Sequence, residues 1–576
     1  MSTINDTDVF LINRGTASYK CQANQLLDKV TDTDFLLVNR GSTSYKVAFS
    51  NANDDILDTD WLLINRGSTS YKVSGADFKT LLGQTFGWEL DANDAYWSTS
   101  WIGFTTQRFR SRGIASNKFN ETLVAAQSTA AAANGTGSAI TGWLICFNSD
   151  GTVKWFKEFK GKTVGGNSDA FYANSCFAKS DGDFVFIFNN SLNYVDSGTT
   201  DGRRLPNVVN ISRSGTVGTI TKLLSGNENN TYTSDCFQIH ERSNGKFLLT
   251  FSDDIYKGCY AELESNLSLS TSSGRVRRYN VANQNLSFLH YTSTYDSTND
   301  KLYVGGKVSG SATYIYNYLI KQTPDSTVSA QDADWCMEYQ ASTSVSNANA
   351  GFNGMVMSNG NPVVWIEERW ENSGGSGTGY GADIILFKVN PSNGAIVWRL
   401  RIGGDRNAST PRQFYSYWRN NMDSDKDGNL YLACRTQLQT GGTSYWGMVI
   451  KVSASGTFQW CKRFRTLDGN YAARAPFCAN AKVDATGNIA FEFNDAILKL
   501  NSDGNWNGTY NNLQEIQVDD YTPSYITSSS GDFGTWTSIS NTKITTSGVS
   551  NFSTTTGSIF ATNTTLPTNQ NFTVPE

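Results

Sequence analysis

The sequence predicts an all-β protein, with N-terminal tandem β-hairpin repeats followed by a β-propeller of seven blades, six or eight being left open by the degenerate middle units. Three observations carry that prediction. Near-copies of one phrase open the chain, DVFLINRGTASYK, DFLLVNRGSTSYK and DWLLINRGSTSYK, and their glycines Gly15, Gly41 and Gly67 recur every 26 residues. Farther on, a strand, turn and strand phrase keeps one spacing of glycine and tryptophan, as in Gly151 with Trp155, Gly394 with Trp398 and Gly456 with Trp460. Alternating with it is a polar turn that leads into an apolar strand: SDGDFVFIF at 180, SNGKFLLTF at 243, TNDKLYVGG at 298, SNGNPVVWI at 358, DKDGNLYLA at 425 and ATGNIAFEF at 485. Units this short cannot bury their own apolar faces and must stack on neighbours.

Composition agrees with many short strands joined by polar turns. Of the 576 residues 13% are aromatic and only 17% charged, and 51 are glycine; aromatic and β-branched side chains fill pleated faces while Gly and Asn accept turn geometry. The net charge of −5 offers no global field for a polyanion, which argues against nucleic acid as a partner. The basic clusters Arg108, Arg110, Arg112 and Arg275, Arg277, Arg278 read as solvated strand faces. Nine cysteines are scattered with no C-x-x-C pair, several inside apolar runs such as Cys146 in WLICFN and Cys434 in LYLACR, as expected of reduced thiols acting as small hydrophobes. The start, MSTINDTDVF, lacks the basic and apolar regions of a signal peptide, and no apolar run is long enough to span a bilayer, so neither export by a leader nor membrane insertion is expected.

Four regions follow: residues 1–82 as three hairpin repeats forming an attachment module, 83–139 as a connecting segment carrying a candidate propeller-closing strand, 140–524 as the propeller, and 525–576 as a Ser/Thr-rich arm. In each repeat an apolar run, an Asn/Gly turn and a second short strand make a hairpin. Both faces of the first strand are apolar, since Phe35 and Leu37 alternate with Leu36 and Val38, so neighbouring copies or neighbouring chains must cover one of them. Arg14, Arg40 and Arg66 recur beside Tyr19, Tyr45 and Tyr71, either as a cross-strand register lock or as a repeated ligand contact. Short helical turns are expected between hairpins, over AFSNANDDILD and GADFKTLL.

The run D-x-[FW]-L-[LVI]-[VI]-N-R-G-x-x-SYK resembles repeats near the start of structural proteins of marine cyanophages, where such modules look like tail or fibre attachment elements. The resemblance covers residues 6 to 82 and assigns no catalytic residue. It implies a virion component of the tail, made in the host cytoplasm, whose partners are other tail proteins and further copies of itself, with trimers frequent among fibres.

In the body, unit lengths of about 45 to 65 residues with four strands each suit propeller blades. The last unit is incomplete after ILKLNSDGNWNG, and a strand from AYWSTSWIGFTTQRF at 95 or TWTSISNTKITTSG at 535 is expected to finish it and close the ring. The Gly and Trp spacing resembles that of quinoprotein-like propeller blades, but packing between blades accounts for it without a cofactor.

Chemistry is sparse. His240 and His290 are the only histidines, which excludes a three-histidine metal site, and both read as structural or surface residues. No nucleophile elbow, dinucleotide fingerprint or Walker loop is present. Asp423, Asp425 and Asp427 alternate before Gly428, the pattern of a Ca2+ loop and equally of a turn held by Asx hydrogen bonds; Cys434 stands where an EF-hand needs its bidentate glutamate. Trp365, Glu367 and Trp370, with Glu368 on the opposite strand face, offer a glycan platform or an ordinary blade surface. From 525 the chain is nearly uncharged, with Phe552, Phe560 and Phe572 punctuating Ser and Thr, as in a disordered tail or an arm that adds strands to neighbours.

The expected function is a structural tail or tail-fibre component that assembles through its repeats, presents the propeller, and is not an enzyme. The alternatives are a propeller that binds a host receptor or surface glycan and, second, a glycan depolymerase or oxidoreductase.

Overall fold

The computed structural model describes six strands between residues 9 and 74 (9–14, 17–22, 35–40, 43–48, 61–66 and 69–74), residues 97–100, and then 109–128, 142–149, 151–160, 163–164, 167–168, 171–190, 206–225, 238–252, 257–270, 276–281, 287–310, 314–324, 330–341, 346–371, 380–403, 413–415, 421–437, 445–466, 478–493, 496–504, 516–527, 533, 535–540, 544–548, 552–557 and 560–563. The chain divides into two compact units, Met1–Ala95 with Lys118–Asn120, and Tyr96–Asn117 with Glu121–Glu576.

In the first unit every repeat is a hairpin: Val9–Arg14 pairs with Ala17–Gln22, Phe35–Arg40 with Thr43–Ala48, and Trp61–Arg66 with Thr69–Ser74. The three leading strands also pair with one another. Ile12 and Asn13 lie opposite Leu36 and Phe35, Val38 and Asn39 opposite Leu62 and Trp61, and Ile64 and Asn65 opposite Phe10 and Val9. Each strand's end meets the next strand's beginning and the third returns to the first, so the 26-residue period closes a triangle within one chain. Pairing of that kind occupies edges that an isolated hairpin leaves open. Gly15, Gly41, Gly67 and the expected helical turns lie outside the described residues, as do the side chains of Arg14, Tyr19, Arg40, Tyr45, Arg66 and Tyr71.

The second unit is a seven-bladed propeller whose sheets are antiparallel except at Gln413–Tyr415, which pairs parallel with Tyr380–Val389 and antiparallel with Leu430–Gln437 and so joins two neighbouring blades. Blade 1 is Phe109–Ser116, Thr122–Ser128, Gly142–Phe147 and Val153–Lys160; blade 2 is Phe171–Ala178, Phe184–Asn190, Asn207–Ile211 and Ile220–Ser225. Blade 3 is Gln238–Glu241, Phe247–Ser252, Gly258–Leu263 and Val276–Val281; blade 4 is Ser287–Asp296, Lys301–Gly310, Tyr314–Gln322 and Trp335–Gln340. Blade 5 is Ser346–Ser358, Asn361–Glu371, Tyr380–Val389 and Ile396–Gly403; blade 6 is Met422–Ser424, Leu430–Gln437, Tyr445–Val452 and Phe458–Thr466. Blade 7 has Cys478–Val483, Ile489–Phe493 and Ala496–Leu500, and its outer strand is Trp97–Ser100, which precedes blade 1 in sequence. Blade 1 thus starts upstream of residue 140, and its second strand takes up the first residues of the small-residue stretch AAQSTAAAANGTGSAI.

From Ile516 the chain travels back round the ring against the blade order. Ile516–Asp520 adds a fifth strand to blade 6, Ser524–Ile526 to blade 5, Thr535–Ile539 to blade 4, Ile544–Gly548 to blade 3, Phe552–Gly557 to blade 2 and Phe560–Asn563 to blade 1. The neighbours of this Ser/Thr-rich arm are its own blades. Phe533 is buried between blades 4 and 5 beneath the Arg399 guanidinium, 4.4 Å from its ring centre, and Trp536 Nε1 donates to the Gly394 carbonyl at 2.9 Å.

Glycine and tryptophan are one joint between successive blades. Trp335 Nε1 donates to the Pro391 carbonyl at 3.0 Å, Trp398 to Ala454 at 3.0 Å, and Trp460 to Ser502 at 3.2 Å, each acceptor lying in the outer turn of the next blade. A lysine on the preceding strand reaches the same carbonyl: Lys321 to Pro391, Lys388 to Ala454 and Lys451 to Ser502. The glycine of that turn lies against the indole; Gly456 has φ +84°, and a Cβ there would stand 2.6 Å from Trp398 Cδ2. Gly456→Ala is therefore expected to destabilise the ring by about 2–3 kcal/mol, read as a lower denaturant midpoint, because it strains the backbone and displaces the ring together. An unchanged midpoint would contradict this joint.

Cysteines 146, 176, 259, 336, 434, 461 and 478 are buried free thiols. Arg277, expected on a solvated face, is fully buried. Among the described residues no helix is long and apolar enough to cross a membrane.

Candidate functional site: the central channel

The innermost strand of every blade contributes to one central cavity of about 330 Å³. Each contribution lies at or just before the polar turn that ends the strand, so seven repeats of one local pattern aim short segments at a common axis. Ile114, Ile239, Val356, Met355 and Met357 supply apolar wall; Asn174, Ser175, Ser424 and Asn480 supply hydrogen-bonding groups. His240, Asp423 and Lys482 supply the titratable groups, together with Tyr295.

These groups are oriented by bonds across blade boundaries. Asp423 Oδ2 accepts from the Val483 amide at 2.9 Å and lies 3.7 Å from Lys482 Nζ, whose side chain remains about one-third exposed. Asn480, at φ +55°, donates its amide to Asn421 Oδ1 at 2.8 Å and its side chain to Glu492 at 3.2 Å. Ser424 Oγ donates to the Met357 carbonyl at 2.7 Å. His240 Nε2 lies 2.8 Å from Ser293 Oγ, and the imidazole packs beside Tyr295 with ring centres 6.4 Å apart. Desolvation within the ring, followed by the charge of Lys482, pushes His240 down to about 3, so it is neutral at ordinary pH. Tyr295 gives its hydroxyl proton to Asp300 and therefore presents ring, not hydroxyl, to the channel. Burial pushes the Cys176 thiol up to about 12, which removes it as a nucleophile.

Of the three aspartates read from sequence as cation ligands, the channel holds Asp423 without Asp425 or Asp427. Asp425 Oδ1 accepts the amides of Asp427 at 3.0 Å and Asn429 at 2.8 Å, while Oδ2 accepts from Asn429 Nδ2 at 2.9 Å and Tyr431 at 3.2 Å. The carboxylates of Asp423 and Asp425 are thus directed at different partners, and DxDxDG here is a turn held by Asx hydrogen bonds. Among the described residues no group of His, Cys, Asp and Glu is placed to hold a metal ion.

The glycan platform is also corrected in part. Trp365 is fully buried in the core shared by blades 5 and 6, so it offers no face to a sugar. Glu367 is nearly buried, accepts from Asn353 Nδ2 at 2.7 Å and pairs with Arg369, lining a separate cleft of about 170 Å³ between blades 4 and 5. Glu368 is on the opposite strand face, bonded by Tyr339. The Trp370 side chain lies outside the described residues. Sequence reasoning passed over Asn174, Ser293, Asn480 and Lys482 because none belongs to a motif, and it read His240 as a structural or surface histidine. Their signal was positional: each lies within a few residues upstream of a polar turn phrase.

No family model and no curated protein matches the chain. Among solved structures it is similar to the Myceliophteria thermophila Cps50 (Swd1) β-propeller domain, at 8% identity over 68% of this chain and 98% of that one with a TM-score of 0.35. It is also similar to the exotype rhamnogalacturonan lyase YesX, at 11% identity over 88% of this chain and 87% of that one with a TM-score of 0.31. A sialidase matches at 9% identity over 78% of this chain and 50% of that one, with a TM-score of 0.17. At these values the likenesses assign no activity to this chain. The expectations of a non-enzymatic chain and of a cyanophage virion tail component find no support among these structures, which include a rhamnogalacturonan lyase and a sialidase, and they are not carried further. What stands is the architecture: an all-β chain of hairpin repeats and a seven-bladed propeller.

Proposed function

We propose that the propeller binds a carbohydrate in its central channel. The observation that supports this reading is the composition of the cavity wall, where polar groups from opposite blades face inward around the apolar patch of Met355, Val356 and Met357. A sugar ring presents hydroxyls at its edge and C–H bonds on its faces, so it needs both kinds of wall at once; a volume of about 330 Å³ suits one or two such rings. Lys482, with a partly exposed ammonium, is the donor best placed to reach a ligand oxygen.

Titration calorimetry of the full chain against a panel of neutral and acidic oligosaccharides tests the proposal. Binding of at least one member is expected, and Lys482→Met should weaken it at least about tenfold, as loss of a charged hydrogen bond does. Absence of binding across the panel, or binding that Lys482→Met leaves unchanged, would refute a channel site.

A further inference from the structure

We propose that His240 is locked as the tautomer with its proton on Nε2, leaving the Nδ1 lone pair at the channel wall as an acceptor that selects a ligand hydroxyl over an oxyanion. The ligand half of this inference rests on the carbohydrate reading; the tautomer half does not.

The lock is a chain of assignments that begins at the backbone. The Ser293 amide donates to Gln238 Oε1, so the side-chain amide of Gln238 must present oxygen to Ser293; the flipped amide would set two donors against each other. Ser293 Oγ lies 3.0 Å from that same Oε1. An amide oxygen only accepts, so the single hydroxyl proton of Ser293 points to Gln238. Any other placement would leave two oxygens in hydrogen-bond range with no hydrogen between them. Ser293 Oγ then has two lone pairs left and two neighbours, Thr250 Oγ1 at 2.8 Å and His240 Nε2 at 2.8 Å. Both must donate. Thr250 supplies its hydroxyl proton, shared between Ser293 Oγ at 2.8 Å and, more weakly, the Gln238 backbone carbonyl at 3.3 Å, and His240 supplies Nε2–H, which in a neutral imidazole means that Nδ1 carries none. Every donor and acceptor on the serine is then used once.

The network spans a blade junction: Gln238 and His240 lie on the inner strand of blade 3, Thr250 on the second strand of blade 3, and Ser293 on the inner strand of blade 4. Its members therefore cannot rotate independently while the blades are in register. His240 is partly exposed to the channel, and among the described residues no group bonds its Nδ1. Burial and Lys482 keep the ring neutral, which preserves the lone pair. A hydroxyl satisfies that lone pair by donating to it. A carboxylate or phosphate oxygen placed there would oppose one lone pair with another.

The test uses full-length protein labelled with 15N in histidine. His240→Gln identifies which of the two histidine signals belongs to this residue. In the unliganded protein Nε2 is expected to show a directly bonded proton and Nδ1 the shift of an unprotonated nitrogen, from pH 6 to pH 8. A protonated Nδ1, or averaged shifts from two exchanging tautomers, would overturn the lock. For selection, a neutral saccharide found by calorimetry should move the Nδ1 signal on saturation, and His240→Phe should weaken it at least about fivefold while narrowing its advantage over the corresponding uronic acid. An unmoved Nδ1 signal or an unchanged neutral-to-acid ratio would overturn selection. Absence of any saccharide binding by the wild-type chain would overturn selection and the carbohydrate reading together, whereas the tautomer is read from the free protein.

Discussion

A chain cut before Ile516 is expected to lose most of its folding stability and to associate through exposed strand edges. The cut removes the fifth strand from six blades at once, uncovering the outer edges of Val153–Lys160, Ile220–Ser225, Val276–Val281, Trp335–Gln340, Ile396–Gly403 and Phe458–Thr466. Unpaired edges of that length are templates for other chains. Phe533 and Trp536 leave with them, and loss of a packed aromatic side chain costs about 3–5 kcal/mol, against a total of about 5–15 kcal/mol for a folded domain. Calorimetry should show a melting midpoint lowered by about 10 °C or more, and gel filtration should show soluble aggregate. The double variant Phe533→Ala/Trp536→Ala, which keeps the strands, should fall between wild type and the truncation. A truncated protein that melts at the wild-type temperature as a monodisperse species would show that the outer strands add nothing to the ring.

The second large effect is expected at Lys499→Met. Lys499 Nζ lies 2.7 Å from Asp484 Oδ2 in blade 7, with both side chains fully buried. Asp484 is also fixed by the amides of Thr486 and Asn488, each at 2.9 Å, so it cannot turn away toward water when its partner is lost. Removing the ammonium therefore leaves a buried carboxylate without a counter-ion, at a cost of about 3–5 kcal/mol. The readout is the urea midpoint at neutral pH. Lys499→Met/Asp484→Asn should recover much of the loss, since the amide still accepts from the turn and carries no charge. If the single variant lies within about 1 kcal/mol of wild type, the pair does not hold the blade 7 turn.

Blade number was legible to within one because it rests on repeated stereochemistry. Glycines such as Gly428 and Gly456 sit at positive φ in turns where other residues are strained, and Trp398 and Trp460 fill a joint that recurs with the blades, so both leave a periodic trace. Closure by Trp97–Ser100 left a weaker trace, an apolar stretch ahead of the first unit. The outer strands between Ile516 and Asn563 left an ambiguous one, readable as a disordered tail or as an arm that adds strands to neighbours: a strand added to the rim of a sheet needs β-propensity but little apolar surface, and Thr and Ser meet that need while looking like a solvated tail. The glycan platform failed for a related reason. Period-two alternation places Trp365 and Glu367 on one face of a strand, but it does not say whether that face meets solvent or the next blade. The channel residues were illegible one by one, since an isolated Asn, Ser or Lys carries no signal until seven strand ends are brought to one axis.

The reversed path of the outer strands sets a rule for synthesis. Blade 1 begins at Phe109 but receives its rim strand only at Phe560, and blade 6, the last of the six to emerge, is the first to be finished. A ribosome releasing this chain therefore delivers six unfinished sheets before it delivers any of the strands that complete them, and the ring cannot mature from its amino-terminal end as tandem domains do. Contacts between such distant positions form slowly. The nascent protein must keep its open rims apart throughout translation, a period in which a holding chaperone or a slow-growing culture would raise the yield of native ring.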